Sequence, residues 1–288
     1  MVMHMAFGIG ATSSTSSLFA QNALRINNLL FQRTAAQLSS GNRLISGAID
    51  PSGLAISMQM RSQIGGTDQA IYNTQDNINL TRTADAQLGT QGEILGRMRD
   101  LAVRAGNDAT LTASDRTRLD NEYQSLATEL NRQGRSNSFN TKQLTTDVAG
   151  SQYGTQSAQI GPNSGDNTGV TINPSTADSM GITAAGSGQN LLTGASARDA
   201  IDRIDTAIEQ VSTQRASLGV QERNFQYITN DLSAQRINMT EANSRIADTD
   251  FAAAISEQTK AILLGQVSIA ALSQSNAQGF GVLSLLGA

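Results

Sequence analysis

The chain has 288 residues, a net charge of −4 and an isoelectric point near 5.0. That balance, with Lys142 and Lys260 as its only lysines and no basic cluster, excludes nucleic acid as a main partner. Cysteine and tryptophan are absent and aromatics make up 4% of the residues, which rules out disulfides and thiolate chemistry and suits thin layers of helix on helix better than a compact enzyme core.

No apolar run reaches the length of a membrane span. The stretch from Met1 to Ala11 is apolar but carries no Lys or Arg, so a cleaved secretory signal is not expected. Residues 1–17 are small, polar and glycine-containing and are expected to be unstructured. From Leu18 to Leu38 a helical stripe emerges. Leu24, Phe31, Ala35 and Leu38 share one face, with Ala23, Ile26 and Leu30 beside it.

Helix breakers then cluster. Gly41, Gly47, Asp50, Pro51 and Gly53 predict a joint over 41–56, because glycine reaches positive φ cheaply and Pro51 pushes Asp50 out of the α region. A long helix is expected over 57–104, about 70 Å at 1.5 Å per residue. Ile64, Ile71 and Ile78 are spaced by seven, and Leu88, Leu95 and Ala102 continue that spacing. Gly65 and Gly66 weaken it locally. Gly89, Gly92 and Gly96 line one face, either as tolerated weak spots or as a groove where another backbone comes close.

Gly106-Asn-Asp ends that helix, and Thr112-Ala-Ser-Asp115 resembles a capping box opening the next. Leu119, Tyr123, Leu126 and Leu130 then follow at helical spacing, so two antiparallel helices are expected. Between 134 and 195 Gly, Ser, Thr, Asn and Asp dominate. There Ala158-Gln-Ile-Gly and Gly169-Val-Thr-Ile-Asn, separated by Pro-Asn-Ser-Gly-Asp-Asn-Thr, predict a hairpin.

Ser196-Ala-Arg-Asp199 is a second capping-box-like start. Behind it Ile201, Ile204, Ile208, Val211, Arg215, Leu218, Glu222 and Phe225 alternate spacings of 3 and 4, extended by Ile228 and Leu232. A short polar stretch reaches Asp248-Thr-Asp250. A last helix over 251–288 carries Phe251, Ile255, Ile262 and Ile269, with Leu263, Val267 and Ala270 alongside. The fold class is mainly α: a long antiparallel helical bundle or coiled coil, with a small β-hairpin region in the middle of the chain. Each terminal helix has a narrow apolar stripe and is marginal alone, so stripes facing outward invite partners from other copies.

No catalytic constellation is present. His4 is the single histidine, so a triad would have to use it and a two-histidine metal site is excluded by count. Asp199, Asp202, Asp248 and Asp250 lack the glycine and terminal glutamate of a calcium loop and read as helix-start capping. No phosphate-binding glycine loop occurs. No catalytic, cofactor-binding or metal residues are therefore assigned.

Several of these segments resemble bacterial flagellins. Gln37-Leu-Ser-Ser-Gly-Asn-Arg-Leu-Ile-Ser-Gly-Ala with Asp50-Pro-Ser-Gly-Leu-Ala-Ile is similar to the family's N-terminal signature. Arg97-Met-Arg-Asp-Leu-Ala-Val-Arg-Ala resembles the segment near the end of its long helix, and Gln159-Ile-Gly-Pro-Asn163 the start of its hairpin. Ser244-Arg-Ile-Ala-Asp-Thr-Asp-Phe-Ala resembles the C-terminal entry motif, and Val282-Leu-Ser-Leu-Leu286 the tail. The matches are ordered and span nearly the whole chain. The middle segment is short, without the large outer domains of many flagellins.

The resemblance implies a structural subunit that self-assembles into the extracellular flagellar filament for motility. Residues 1–40 and 251–288 would form the inner tube, 41–56 the connector, 57–133 with 196–250 the helical shell, and 134–195 its hairpin region. Leu24, Phe31, Leu38, Phe251, Ile255, Ile262 and Ile269 are the implied self-assembly residues. The implied partners are identical subunits, a flagellar export chaperone and a filament cap. Export would use the flagellar type III route without a cleaved signal. Recognition by a host Toll-like receptor would map to Arg97, Leu101 and Glu122, where the family pattern departs at neighbouring Gly96 and Asp100. The alternatives are a hook–filament junction protein, which shares both termini, and a secreted helical adhesin or binding module.

Overall fold

The computed structural model describes residues 2–147, 154–182 and 190–286, with side chains described for 15, 17–147, 154–182 and 190–277. In chain order it forms helices α1 (Val2–Ser40), α2 (Pro51–Ala105) and α3 (Ala113–Ser136), strands β1 (Ser138–Phe139), β2 (Lys142–Gln143), β3 (Gly154–Gln159) and β4 (Asn167–Ile172), and helices α4 (Gly194–Ala247) and α5 (Phe251–Leu286). This is the mainly α fold with a central hairpin that the sequence predicts. The chain divides into two compact units: Gln63–Ile237, and the residues up to Ser62 together with those from Asn238.

Within Gln63–Ile237 the core is built from large apolar side chains at heptad spacing. Leu88, Leu95 and Ala102 of α2, Tyr123 and Leu130 of α3, and Ile204, Val211, Leu218 and Phe225 of α4 are all buried in one cluster. Arg215 and Glu222, the charged members of the α4 heptad, leave the core and pair with Asp85 at 2.9 Å and Arg82 at 2.8 Å. Asp68–Arg236 and Arg99–Asp205 extend this ladder between α2 and α4. Partner numbers fall on one helix as they rise on the other, so the two run antiparallel. The Arg99 guanidinium, hydrogen-bonded to Asp205, holds that carboxyl below its usual range.

Toward the start of this unit the seam changes character. Thr67, Thr74 and Thr81 are buried, seven residues apart, while Ile64 and Ile71 are half-buried beside them. Each threonine donates its hydroxyl to the carbonyl four residues back, at 2.7–2.8 Å. That satisfies the polar atom within α2, so these side chains can be buried.

α3 begins with the expected capping box. The Thr112 side chain accepts from Asp115 N–H, and the Asp115 carboxylate accepts from Thr112. Arg116 folds back across the turn and donates to Ala105 O and Asn107 O, closing the C-terminal end of α2. The β3–β4 hairpin runs from Gly154↔Ile172 to Gln159↔Asn167, so the two quoted β segments pair as expected. A second, two-residue hairpin joins β1 to β2 through Asn140 and Thr141, both at positive φ. Residues 148–153 and 183–189 of the expected 134–195 region lie outside the described residues.

A Cβ on Gly66 would meet Pro162 at 2.9 Å, so this glycine lets the hairpin turn lie against α2. Gly92 and Gly96 face open space, and Gly89 meets only the Arg215 guanidinium at 3.8–3.9 Å. Among the described residues no backbone enters that stripe, so the tolerated-weak-spot reading holds within this chain.

Four boundaries differ from expectation. α1 starts at Val2, so the stretch expected to be unstructured is helical from its second residue. No proline interrupts the first fifty residues, and α5 lies alongside as the partner a marginal helix needs. α2 starts at Pro51, which narrows the joint of 41–56 to 41–50. Pro51 and Gly53 occupy the first turn, where a missing N–H costs nothing. α4 is capped by Thr193, whose Oγ1 accepts from Ser196 N–H at 3.1 Å, three residues before the expected start. α4 also continues to Ala247, so the polar break shortens to 248–250.

Candidate functional site

The surface of interest is the α1–α5 pair with the two joints that lead into and out of it. The helices run antiparallel with Cα atoms repeatedly within 8 Å. Ala254, Ala261, Ser268 and Ser275 form the buried line of α5, spaced seven residues apart. Thr34 and Gln37 are buried on α1, and Asn27 Nδ2 lies 3.4 Å from Ser268 Oγ. Small side chains on the seam let the two backbones approach closely.

The large apolar side chains are left outside. On α5, Phe251, Ile255, Ile262 and Ile269 are 45–57% exposed, and Leu263, Leu264 and Val267 are exposed with them. On α1, Leu18, Phe19, Ile26 and Leu29 are exposed, Phe19 at 76%. Phe31 is 39% exposed, while Leu24 and Leu38 are half-buried. The isoleucines follow the buried small residues by one position, about 100° round the helix, so they flank the seam without entering it. Of the seven residues singled out in the sequence, the structure thus leaves Phe31 and the four on α5 outside and tucks Leu24 and Leu38 partly inward. Leu18, Phe19, Leu29 and Leu264 were missed. The heptad of small residues from Ala254 to Ser275 was the available signal that the large stripe is not the internal seam.

So large an exposed apolar face is unusual for a free-standing soluble surface. The apolar tail Val282–Leu286 belongs to α5, with side chains outside the described residues.

The two joints are tied to each other. Gly41, at φ +67, turns the chain out of α1. Asn42 and Asp248 then form an antiparallel bridge. Arg43 N–H donates to Ala247 O at 2.7 Å, Thr249 N–H to Gly41 O at 3.0 Å, and the Arg43 guanidinium to Ile246 O at 2.9 Å. Gln37 Nε2 donates to Arg43 O at 3.1 Å, and Leu44 is buried beneath the joint. A cation on the last carbonyls of α4 also complements the helix dipole. Ser57 Oγ bonds Asn243 at 2.7 Å one turn further on.

Each exit from the joints starts on an aspartate cap. Asp50 Oδ1 accepts from Gly53 N–H and Ser52 Oγ at 2.9 Å. These bonds, led by the Gly53 amide and helped by nearby Arg43, hold its carboxyl below the ordinary value of 3.8. Asp250 Oδ1 accepts from the Ala252 and Ala253 amides at 2.9 and 3.1 Å. Of the four aspartates weighed against a metal role, Asp250 caps α5 as expected, whereas Asp199 and Asp202 lie inside α4 beyond its first turn and Asp248 accepts from the Ser244 hydroxyl at the end of α4. Among the described residues no group of three or more His, Cys, Asp or Glu could hold a metal, and no helix is long and apolar enough to cross a membrane.

The expected receptor residues lie in the other unit. Arg97 grips Glu122 Oε1 through Nε at 2.9 Å and Nη2 at 2.6 Å, joining α2 to α3. Leu101 is 3% exposed and belongs to the core.

Comparison with known proteins identifies the family. The family model described as the bacterial flagellin N-terminal helical region matches residues 12–149, and the one described as the bacterial flagellin C-terminal helical region matches residues 201–286. A flagellin of Halalkalibacterium halodurans is 37% identical over 94% of this chain and 98% of its own length. A flagellin of Bacillus subtilis is 36% identical over 94% and 97%. The crystal structure of Bacillus cereus flagellin covers 60% of this chain and 94% of its own, at 33% identity and a TM-score of 0.49. The chain belongs to the bacterial flagellin family and is a structural subunit of the flagellar filament, in a form without a large outer domain.

Proposed function

We propose that the filament forms because other copies cover the apolar faces that α1 and α5 leave open. The observation that carries this reading is the inversion at the α1–α5 seam: small residues inside, large apolar residues outside. Covering a half-exposed Leu, Ile or Phe contributes about 1 kcal/mol. Roughly ten such side chains offset an association cost of about 4–15 kcal/mol only narrowly. A head-to-tail contact that does not close supplies neighbours on several sides and propagates a helical filament.

In this reading residues 1–40 and 251–288 line the inner tube, 57–133 with 196–250 form the shell, and 134–195 form its hairpin region. The tied joints at 41–50 and 248–250 connect the layers. Phe31, Phe251, Ile255, Ile262 and Ile269 are the principal contacts, joined by Phe19, Ile26 and Leu29. Leu24 and Leu38 hold α1 against α5 and help indirectly. A face this apolar needs protection before assembly, which is the role of an export chaperone. A filament cap would seat the subunit after passage through the flagellar type III route. Recognition by a Toll-like receptor rests on Arg97 and Glu122, since Leu101 has no side-chain surface to offer.

Electron microscopy of purified protein after salt-induced assembly tests the reading. Long tubes are expected. Short assemblies or no polymer would overturn it and favour a hook–filament junction role.

A further inference from the structure

Within the unit Gln63–Ile237 a cleft of about 500 Å³ lies between the chain that follows β4 and the middle of α4. Pro174 and Ser175 stand on one wall, and Glu209, Gln210 and Gln214 on the other. No lysine, arginine or histidine lines it. Glu209 is exposed and makes no ion pair or hydrogen bond among the described residues. Ser175 is 2% exposed, yet its Oγ has no hydrogen-bond partner. Gln214 commits its Nε2 to Asn173 O at 3.0 Å, which leaves its Oε1 as a further acceptor.

We propose that this cleft receives an arginine side chain from a second copy of the chain. This rests on the filament reading and adds a polar contact, away from the terminal helices, to it. An anionic guest is excluded, because the one charge on the walls is a carboxylate and no cation answers it. A guanidinium presents five N–H donors in a plane, which matches a free carboxylate flanked by amide and hydroxyl oxygens. The exposed Glu209 carboxylate supplies the opposite charge, with the Gln214 Oε1 beside it as a second acceptor. The chain itself supplies the guest. All but two of its twenty basic residues are arginine. Arg33, Arg61 and Arg223 are exposed and have no acidic partner among the described residues. A polymer of identical copies therefore brings unpaired arginines and unpaired Glu209 together at high local concentration.

The test compares the critical concentration for assembly of Glu209→Gln, Glu209→Lys and a control, Asp231→Lys. Asp231 is likewise exposed on α4 and unpaired among the described residues, but lies outside the cleft. Glu209→Gln is expected to raise the critical concentration about 5-fold and Glu209→Lys more than about 10-fold, with the gap shrinking in high salt. Asp231→Lys is expected to change it less than about 2-fold. Circular dichroism of each monomer should match the unmodified protein. If the unmodified protein polymerises and both Glu209 variants match it, the cleft proposal falls while the filament reading stands. An Asp231→Lys effect as large as that of Glu209→Lys, or a loss of helix in the Glu209 monomers, would also overturn it. If the unmodified protein forms no polymer, the filament reading itself fails.

Discussion

The two helical regions use the same seven-residue period and fill it in opposite ways. Between Gln63 and Ile237 the large apolar residues face inward: Leu88, Leu95, Ile204, Leu218 and Phe225 are fully or nearly fully buried within one chain. Along α1 and α5 the inward line is Ala254, Ala261, Ser268 and Ser275, and the isoleucines next to it are left on the surface. The first region closes its own core. The second pairs its helices closely but leaves its strongest apolar groups on the surface. Period alone therefore identifies a helix, whereas phase separates a closed core from an exposed apolar face.

That contrast can be broken most sharply by Ile262→Asp. The residue is 45% exposed in the single chain, so the monomer should keep its stability within about 0.5 kcal/mol. Polymerisation should be abolished, because assembly would bury an unpaired carboxylate. Sedimentation and thermal melting read the two effects separately, and normal filaments from this variant would contradict the surface assignment. Leu95→Ala should show the reverse. It opens a cavity in a closed core and should cost about 2–5 kcal/mol in urea unfolding of the monomer.

Ala261→Leu sharpens the comparison at the close seam. Ala261 is 2% exposed between α1 and α5, and a larger side chain there should cost about 1–3 kcal/mol by forcing the helices apart. Unchanged protection of α1 and α5 amides from hydrogen exchange would show that the seam is looser than its small residues require.

The smallest effect is expected at the joint. Asp50 has a lowered pKa, so its contribution is complete above its unfolded value near 3.8 and is lost as pH falls through the lower folded value. Asp50→Ala should lower the melting temperature at neutral pH, and Asp50→Asn should retain most of the cap. The difference between Asp50→Ala and the unmodified protein should vanish in acid below that window. A difference that persists there would place the effect elsewhere.

Much of this layout is legible from residue pattern. The heptad from Ile201 to Leu232 predicts the buried face of α4 because its apolar members are large and its charged members pair across the seam. The Thr112–Asp115 box and the β3–β4 pairing are local and follow from short-range chemistry. Phase was the harder matter. Ile64 and Ile71 look like a seam, yet Thr67 and Thr74 hold it, because hydroxyls bonded within α2 bury at little cost. The terminal helices repeat that lesson with alanine and serine. Pro51 and Gly53 look like breakers, yet they start α2, because helix breakers are harmless in a first turn. The cleft beside Glu209 had no sequence signal, since its two walls are joined by chain folding alone.

The central claim is that other copies cover the outer face of α5. A chain without cysteine allows it to be tested by single-site labelling. Ile262→Cys and Ala261→Cys would be treated with a maleimide in dilute monomer and again after salt-induced assembly. The account predicts that the Ile262→Cys thiol labels rapidly in the monomer and slowly in the polymer, while the Ala261→Cys thiol is slow in both. Equal labelling of the Ile262→Cys thiol before and after assembly would contradict it.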